Sequence, residues 1–378
     1  MPEYLDFAAS TPIDQRVLDT MISAYTMTYG NADSRTHLFG QQAKELLENS
    51  RGKIADILQI DKTEVIFTSG ATESDNIAIL GMRQYGEKTG KTHIITTAIE
   101  HKAILSPTEF LKNHGFEIDY VKPNQDGRID PEEVLRRIKP ETLMVSVMHV
   151  NNETGVIQPV EFLGEELNKR NIYFHIDAAQ SFGKINNSLR NCKYDMLSLS
   201  AHKINGPQGF GALILRRKNY KRPPVQPLFY GGPQEYSFRP GTTPVPLAAG
   251  FAKAADLAEN EHIENEKKQK EIKRLLLQSI EQTNYQINGE PDFTLPGMIN
   301  ISFAGIDSES FFSALKEDYA FSNGAACNSG SYKPSYVLQA MGIDEKRASE
   351  ALRISWGNKA PDFAPLVNYV RSQQSTNC

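Results

Sequence analysis

One lysine of this chain lies in an unusual setting. The stretch SLSAHKINGPQGFGALILR runs from Ser198 to Arg216, and in it Lys203 stands between two apolar runs, beside His202 and ahead of Gly206, Gly209 and Gly211. Partial burial disfavours the charged form of a lysine, and a neutral amine can attack a carbonyl carbon. Other apolar runs end in polar groups of complementary kinds. VIFTSG is followed by Ala71, Thr72 and Glu73, and AIEHKAI carries His101. HVNNETG carries Asn151 and Asn152, HIDAAQ carries Asp177 and Gln180, SLSAHK adds Ser200, and RPGTTP carries Thr242. Backbone N–H groups and a hydroxyl at the start of a helix suit a phosphate. A carboxylate suits a protonated ring nitrogen, and an imidazole and an amide suit the rest of a planar ring. The set fits pyridoxal phosphate, with Lys203 as its Schiff-base anchor and Asp177 as the partner of the pyridinium.

Each residue also has a plainer use. A lysine at a strand end is commonly solvated, and an aspartate or threonine there commonly caps the next helix. The rim loops of every α/β protein are polar. His175, Asp177 and His202 could instead hold a metal ion in a hydrolase. The residue types alone leave these readings side by side.

The elements that must position these residues follow from the pattern. EVIFTSG, THIITTAIEH, TLMVSVMHVNNETG, IYFHIDAAQ, DMLSLSAHK and GALILRR read as short buried strands. ESDNIAILGMRQYGEKTG and HKAILSPTEFLKNHG between them have helical periodicity. This alternation predicts an α/β fold with a mostly parallel sheet covered on both faces, and ligands at the carboxyl ends of its strands. Past about Pro246 a long charged helix, LAAGFAKAADLAENEHIENEKKQKEIKRLLLQSIEQ, leads to a second unit containing GMINISFAG, SESFFSALKED, SYVLQAMG and DFAPLVNYVRSQQ.

Composition narrows the class. The 378 residues include 41 Lys and Arg against 46 Asp and Glu, a net charge of −5, and no segment is strongly basic, so direct nucleic-acid binding is not expected. No apolar run reaches the length of a membrane span, and MPEYLDFAAS lacks the apolar core of a signal peptide, which predicts a cytoplasmic enzyme with no membrane partner. Cys192, Cys327 and Cys378 form no CxxC pair and no disulfide framework.

Taken in order, YLDFAASTP, TSGATESDN, EHKAI, HVNNETGVIQP, HIDAAQ, SAHKINGPQGFGAL, RPGTTPVP, SNGAACNSGSYKPSYVLQAMG and LRISWG resemble the class V aminotransferase group. Within it they resemble the group I cysteine desulfurases of the nitrogenase-maturation and iron–sulfur-cluster type, including the compact branch that serves DNA phosphorothioation. The resemblance implies a fold type I pyridoxal-phosphate-dependent transferase. Its large domain, 15–250, would hold a seven-stranded, mostly parallel sheet. A smaller α+β domain, 1–14 with 251–378, would carry the catalytic cysteine loop. It also implies conversion of L-cysteine to L-alanine, with sulfur leaving as a persulfide on Cys327 for an acceptor protein in iron–sulfur cluster assembly, tRNA thiolation or DNA phosphorothioation. A selenocysteine lyase or another aminotransferase of the same fold is the alternative.

Site residues carry over one by one. Lys203, Cys327 and His101 would be catalytic, with His101 stacked on the ring. Ala71, Thr72, Ser200 and His202 would hold the phosphate, Asp177 the ring nitrogen and Gln180 the phenolic oxygen. Asn152 would serve both cofactor and substrate, Arg353 would take the substrate carboxylate, and Asn31 would lie on the substrate side. Thr242 would reach the phosphate of the neighbouring subunit, so a homodimer completes the site. No metal is implied. The glycine- and serine-rich surroundings of Cys327 suit an exposed thiol, whose reactive form is the thiolate. Two stretches depart from the family pattern: GNADS at Gly30–Ser34 and RPGT before Thr243. The C-terminal stretch after NYVRSQQ lacks the longer tail by which the iron–sulfur members engage their scaffold, which favours a dedicated acceptor.

Overall fold

The computed structural model describes residues 2–322 and 335–376. Cys327 and Cys378 lie outside them. The central sheet is made of β1 (Val65–Thr68), β2 (His93–Thr97), β3 (Glu117–Val121), β4 (Thr142–Met148), β5 (Tyr173–Asp177), β6 (Met196–Ser200) and β7 (Gly211–Leu215). Its order is β1-β7-β6-β5-β4-β2-β3. The strands are parallel except β7, which runs antiparallel to both β1 and β6. Every residue of β1, β2, β4, β6 and β7 is buried. That is why these strands read as mostly apolar runs in the sequence. The edge strand β3 is half-exposed and carries Glu117 and Asp119, so no apolar run announced it.

Helices cover both faces. Two of them set the site: α1 (Ala71–Leu80) follows β1, and α2 (Lys102–Lys112) follows β2. The mixed segment read as one helix after β1 is two, Ala71–Leu80 and Arg83–Thr89, parted at Gly81. The long helix α3 (Val245–Ser279) has Pro246 in its first turn, where the missing N–H costs nothing. Its first half buries Phe251, Ala254 and Ala255 in the core beside the central sheet. Its second half buries Ile272 and Leu276 in a separate core. That second core also holds Leu5, Phe311 and Trp356, the closing helix Ala364–Thr376, and a three-stranded antiparallel sheet. The strands of that sheet are β8 (Tyr285–Ile287), β9 (Met298–Phe303) and β10 (Ala351–Ser355), with β9 in the middle.

The first eleven residues tie the two cores together. Glu3–Tyr4 pairs in parallel with Tyr319–Ala320. Ser355 N–H donates to Leu5 O at 2.9 Å, and Thr11 N–H donates to His202 O at 3.0 Å. The chain therefore crosses from the smaller sheet to the loop that carries Lys203.

Candidate active site

A cavity of about 570 Å³ opens where β4, β5 and β6 end. One wall is the start of α1. The backbone before it turns through Gly70 at φ 147°, a conformation that only glycine adopts without strain. An added Cβ on Gly211 would stand 2.7 Å from Gly70 Cα, so both positions must be glycine for β7 to close against this turn. The first-turn N–H groups at Ala71 and Thr72 have no carbonyl of their own helix to bond, and they line the cavity. Ser200 and His202 stand in the same wall. His202 Nδ1 lies 3.1 Å from Ser10 Oγ. Burial, with repulsion from Lys203 and Lys184, pushes its pKa down to about 4, so the ring is a neutral hydrogen-bonding group.

Lys203 ends a single tight turn, Ala201–Lys203, directly after β6. Its Nζ donates to Ala8 O and Ala9 O, at 2.6 Å each. Thr11 braces the turn by donating Oγ1–H to His202 O at 2.8 Å and accepting from Asn205 N–H at 2.7 Å. Asp177 ends β5, and its Oδ1 accepts the Ala179 N–H at 2.9 Å. Burial raises its pKa, while that bond and the positive potential of His101 and Lys203 oppose the rise. His101 caps α2, its Nδ1 accepting the Ala103 N–H at 3.2 Å, so the neutral ring carries its proton on Nε2. Burial lowers its pKa. Gln180 Nε2 donates to Ala8 O at 2.7 Å, and its Oε1 accepts from Lys184 Nζ at 3.3 Å. Burial brings that lysine down to about 7.

At the far side Arg353 projects from β10. It donates to Asp6 Oδ1 at 2.7 Å and to the Asn152 carbonyl at 3.0 Å. Its Nε and the Asn152 Oδ1 are buried and meet no hydrogen-bond partner among the described residues. Orphaned polar atoms of this kind on a cavity wall are suited to a polar ligand. Asn151, by contrast, is structural: its Oδ1 accepts the N–H groups of Glu153 and Thr154, each at 2.9 Å. The residues flanking 323–334 are tied to this same edge. Arg353 N–H donates to Ser322 O at 2.7 Å, and Ser335 Oγ donates to the carboxyl of Glu153. Burial lifts that carboxyl to about 7.

Of the residues expected from the sequence, Ala71, Thr72, His101, Asn152 and Asp177 line the cavity, as do Gln180, Ser200, His202, Lys203 and Arg353. Asn31 and Thr242 are exposed and lie outside it. They share one outer surface, where Gln234 Nε2 donates to Asp33 Oδ2 at 2.7 Å and Gln234 Oε1 accepts from Gly241 N–H at 3.1 Å. The expectation for Cys327 falls outside the described residues. Cys192 is buried, its Sγ donates to Val160 O at 3.2 Å, and burial pushes its pKa up. His175 lies beneath the floor with its two ring nitrogens at 2.9 Å from Ser146 Oγ and 2.9 Å from Ser198 Oγ, so neither nitrogen is left for a metal.

The sequence assigned no role to Asp6, Ala8, Ala9 or Ser10, although these hold Arg353, Lys203 and His202. Two of them act through backbone carbonyls, which any residue supplies. Asp75 and Glu100 also went unassigned. The orphaned atoms, the N–H turn of α1, the lysine and the carboxylate make a donor and acceptor set that fits pyridoxal phosphate with an amino-acid substrate.

Residues 3–361 match the family model described as aminotransferase class-V. The chain is 45% identical over 375 residues to a mitochondrial cysteine desulfurase of Saccharomyces cerevisiae, covering 98% of this chain and 73% of that protein. Among solved structures, it resembles DndA from Streptomyces lividans at 46% identity and TM-score 0.83, covering 94% of this chain and all (100%) of that one. It resembles SspA in complex with cysteine at 35% identity and TM-score 0.83, covering 94% and 99% of the two chains.

Proposed function

The chain belongs to the class-V aminotransferase family, and on that premise we propose that its cavity is the active site of a pyridoxal-phosphate-dependent cysteine desulfurase, acting on L-cysteine through Cys327. The observation that carries the reading is Lys203, held by two carbonyls in a cavity that also gathers Asp177, an anion-binding helix start and Arg353. Bound pyridoxal phosphate supplies an electron sink for the pair released when the substrate Cα loses its proton. Ala71, Thr72, Ser200 and His202 would hold its phosphate, Asp177 its ring nitrogen and Gln180 its phenolic oxygen, with His101 against the ring.

The chain's own groups do the rest. Arg353 takes the substrate carboxylate, because a planar fork with its Nε unpartnered offers a charge-assisted bond where one is missing. Asp6 and the Asn152 carbonyl hold that fork still. Asn152 Oδ1 faces the same ligand. Lys203 Nζ takes the proton from Cα, and Ala8 O and Ala9 O set its place. The Cys327 thiolate attacks the substrate sulfur: the Cβ–S bond breaks, an S–S bond forms, and protonation yields L-alanine and the Cys327 persulfide. Ser322 and Ser335, on either side of the stretch 323–334 that includes Cys327, are bonded to Arg353 and Glu153 at the substrate edge.

Two cores support a division into a large domain, 15–250, and a smaller one, 1–14 with 251–378, although Val337, Leu338, Met341 and Ala348 of the second stretch pack in the core of the first. A homodimer is supported by the outer surface that carries Asn31 and Thr242. It exposes Met27, Tyr29, Leu38 and Tyr230, a run of large apolar side chains that water disfavours. There Thr242 would reach the partner's phosphate, and the loop of Asn31 would border the substrate. No helix among the described residues is long and apolar enough to cross a membrane. The reading places the enzyme in the cytoplasm, handing sulfur to an acceptor protein without touching nucleic acid itself. The destination is iron–sulfur clusters, thiolated tRNA or phosphorothioate DNA.

The test follows L-cysteine with the wild type and Cys327→Ser. Wild type is expected to form L-alanine and to carry one extra sulfur on the Cys327 peptide. Cys327→Ser is expected to change the cofactor absorption on adding L-cysteine but to form neither product. Extra sulfur on Cys192 or Cys378, or wild-type alanine formation by the variant, would overturn the assignment. Alanine formed without any sulfur-bearing cysteine would favour the lyase, and a 2-oxo acid in place of alanine would favour the aminotransferase.

A further inference from the structure

Three carboxylic side chains meet at the cavity wall, where Asp75 and Asp177 line the cavity and Glu100 stands behind them. Asp75 projects from α1, Glu100 immediately precedes His101, and Asp177 ends β5. All three are buried. Two of them feel another's charge: Asp177 and Glu100 oppose ionisation of Asp75, and Asp177 opposes ionisation of Glu100. Their surroundings differ sharply. Asp177 accepts the Ala179 N–H and feels the positive potential of His101 and Lys203. Glu100 accepts Thr97 Oγ1–H at 2.7 Å and Met148 N–H at 2.9 Å on one oxygen, while its Oε2 is buried with no hydrogen-bond partner. Asp75 has both oxygens buried with no close hydrogen-bond partner, and the Ser198 hydroxyl is the one donor near enough to favour its charged form. The basic group beside it is His175 Nε2 at 3.6 Å. That ring is held neutral, because burial lowers it to about 3 and Ser146 and Ser198 occupy its two nitrogens. No lysine or arginine among the described residues pairs with Asp75 or Glu100.

An ionised carboxylate with no cation, few donors and a second anion nearby is the least favourable way to bury this group. Protonation removes the repulsion and turns each acid into a hydrogen-bond donor. We propose that Asp75, Glu100 and Asp177 carry a single negative charge, on Asp177, and that Asp75 and Glu100 are positioning residues standing behind it as neutral acids. Asp75 then has a proton to offer towards Ser198, which continues through His175 to Ser146, a chain running beneath the floor. Asp177 keeps its charge undivided on the side facing His101 and Lys203. The consequence for the cofactor rests on the reading of Asp177 as the partner of the ring nitrogen: one fixed anion holds the ring proton, and no second anion competes for it.

Infrared spectra of the holoenzyme test this directly. With carbon-13 in the aspartate carboxyls, the wild type at neutral pH is expected to show one un-ionised aspartic acid band. That band should vanish in Asp75→Asn and persist in Asp177→Asn. With labelled glutamate, Glu100→Gln should lose one un-ionised band, leaving that of Glu153. No un-ionised aspartate band in the wild type overturns the proposal even if a variant fails to fold, and so does its loss in Asp177→Asn instead of Asp75→Asn. The pH titration of the bound cofactor's absorption gives a second readout. Asp75→Asn should leave its midpoint in place, and a shift of about one unit or more, tenfold in proton affinity, would show that Asp75 was charged. If the infrared result holds but Asp177→Asn leaves the cofactor titration unmoved, the role of Asp177 fails while the charge assignment stands.

Discussion

At the cavity, polar groups from several strand ends meet and bond one another, and the N-terminal segment closes over them. On the outer surface, Asn31 and Thr242 sit on exposed loops and do not line this cavity. The outer loops are nevertheless built with care. The one leading to Thr242 is rooted in a buried ion pair, where Arg51 grips both oxygens of Glu235 at 2.7 and 2.8 Å. Glu235 also accepts the Phe67 N–H at 2.7 Å, next to the turn that begins α1. The backbone there passes through three successive left-handed residues, Glu235, Tyr236 and Ser237. Each such non-glycine residue costs about 1–3 kcal/mol and persists only where the surroundings fix it. The cavity walls thus bond to one another within one chain, with Arg353 Nε and Asn152 Oδ1 left over for a ligand. The outer loop is held firmly in a shape whose purpose lies outside the chain, as a second copy would require.

The largest expected effect breaks the cavity side. Lys203→Ala removes both the tether and the base. Proton transfer alone is worth about 10²–10⁴-fold, so alanine formation should fall by at least about 10⁴-fold, close to 5 kcal/mol in the barrier. Thermal unfolding of the apoprotein should change little, because Ala8 O and Ala9 O border a cavity that water can fill. A loss smaller than about tenfold would remove Lys203 from the chemistry.

The second effect falls on the outer loop. Glu235→Ala takes away the carboxylate that grips Arg51 and leaves the buried guanidinium with Glu48 at 3.2 Å and Val65 O at 2.8 Å, a change that costs up to about 3–5 kcal/mol of stability. Urea unfolding measures this, and Glu235→Gln should recover part of it by keeping the Phe67 N–H bonded. An unchanged unfolding midpoint in Glu235→Ala would mean that the ion pair does not hold this loop.

Most of the cavity was legible in the sequence because its residues sit at the ends of buried strands, where an apolar run stops and polar letters begin. Lys203, Asp177 and Ser200 follow that rule directly. The long helix α3 was equally plain, since its charged run is too long for a strand or loop. Three kinds of feature were not legible. Ala8 and Ala9 act through carbonyls, so their side chains carry no signal. Asp75 and Glu100 lie within a helix and ahead of a helix cap, where acids are ordinary, and only burial makes them unusual. The Arg51–Glu235 pair joins residues 184 positions apart, and nothing local marks either one.

A third effect returns to the cavity. Arg353→Ala removes a charged hydrogen-bond donor from the substrate carboxylate. Such bonds are worth about 1.5–3 kcal/mol, so KM for L-cysteine should rise about 10- to 100-fold. The rise should be steeper for L-cysteine than for cysteamine, which has no carboxylate to lose. Equal effects on both would place Arg353 in the fold rather than on the substrate.

The smallest effect is the one that sharpens the comparison most. If Thr242 donates one neutral hydrogen bond to the partner's phosphate, its loss costs about 0.5–1.5 kcal/mol, a few-fold to about tenfold in cofactor affinity. Thr242→Ala should therefore lose pyridoxal phosphate a few-fold faster on dialysis while unfolding at the same urea concentration as wild type. Exposure makes that separation clean, because truncating Thr242 opens no cavity in the core of its own chain. The dimer adds a second dependence. Dilution that dissociates the wild type should weaken its cofactor binding to about the level of the variant or below, while Thr242→Ala should lose less on dilution, having already lost its part. Cofactor retention identical in the two proteins at every concentration would leave the outer loop without a role in the site, however firmly Arg51 and Glu235 hold it.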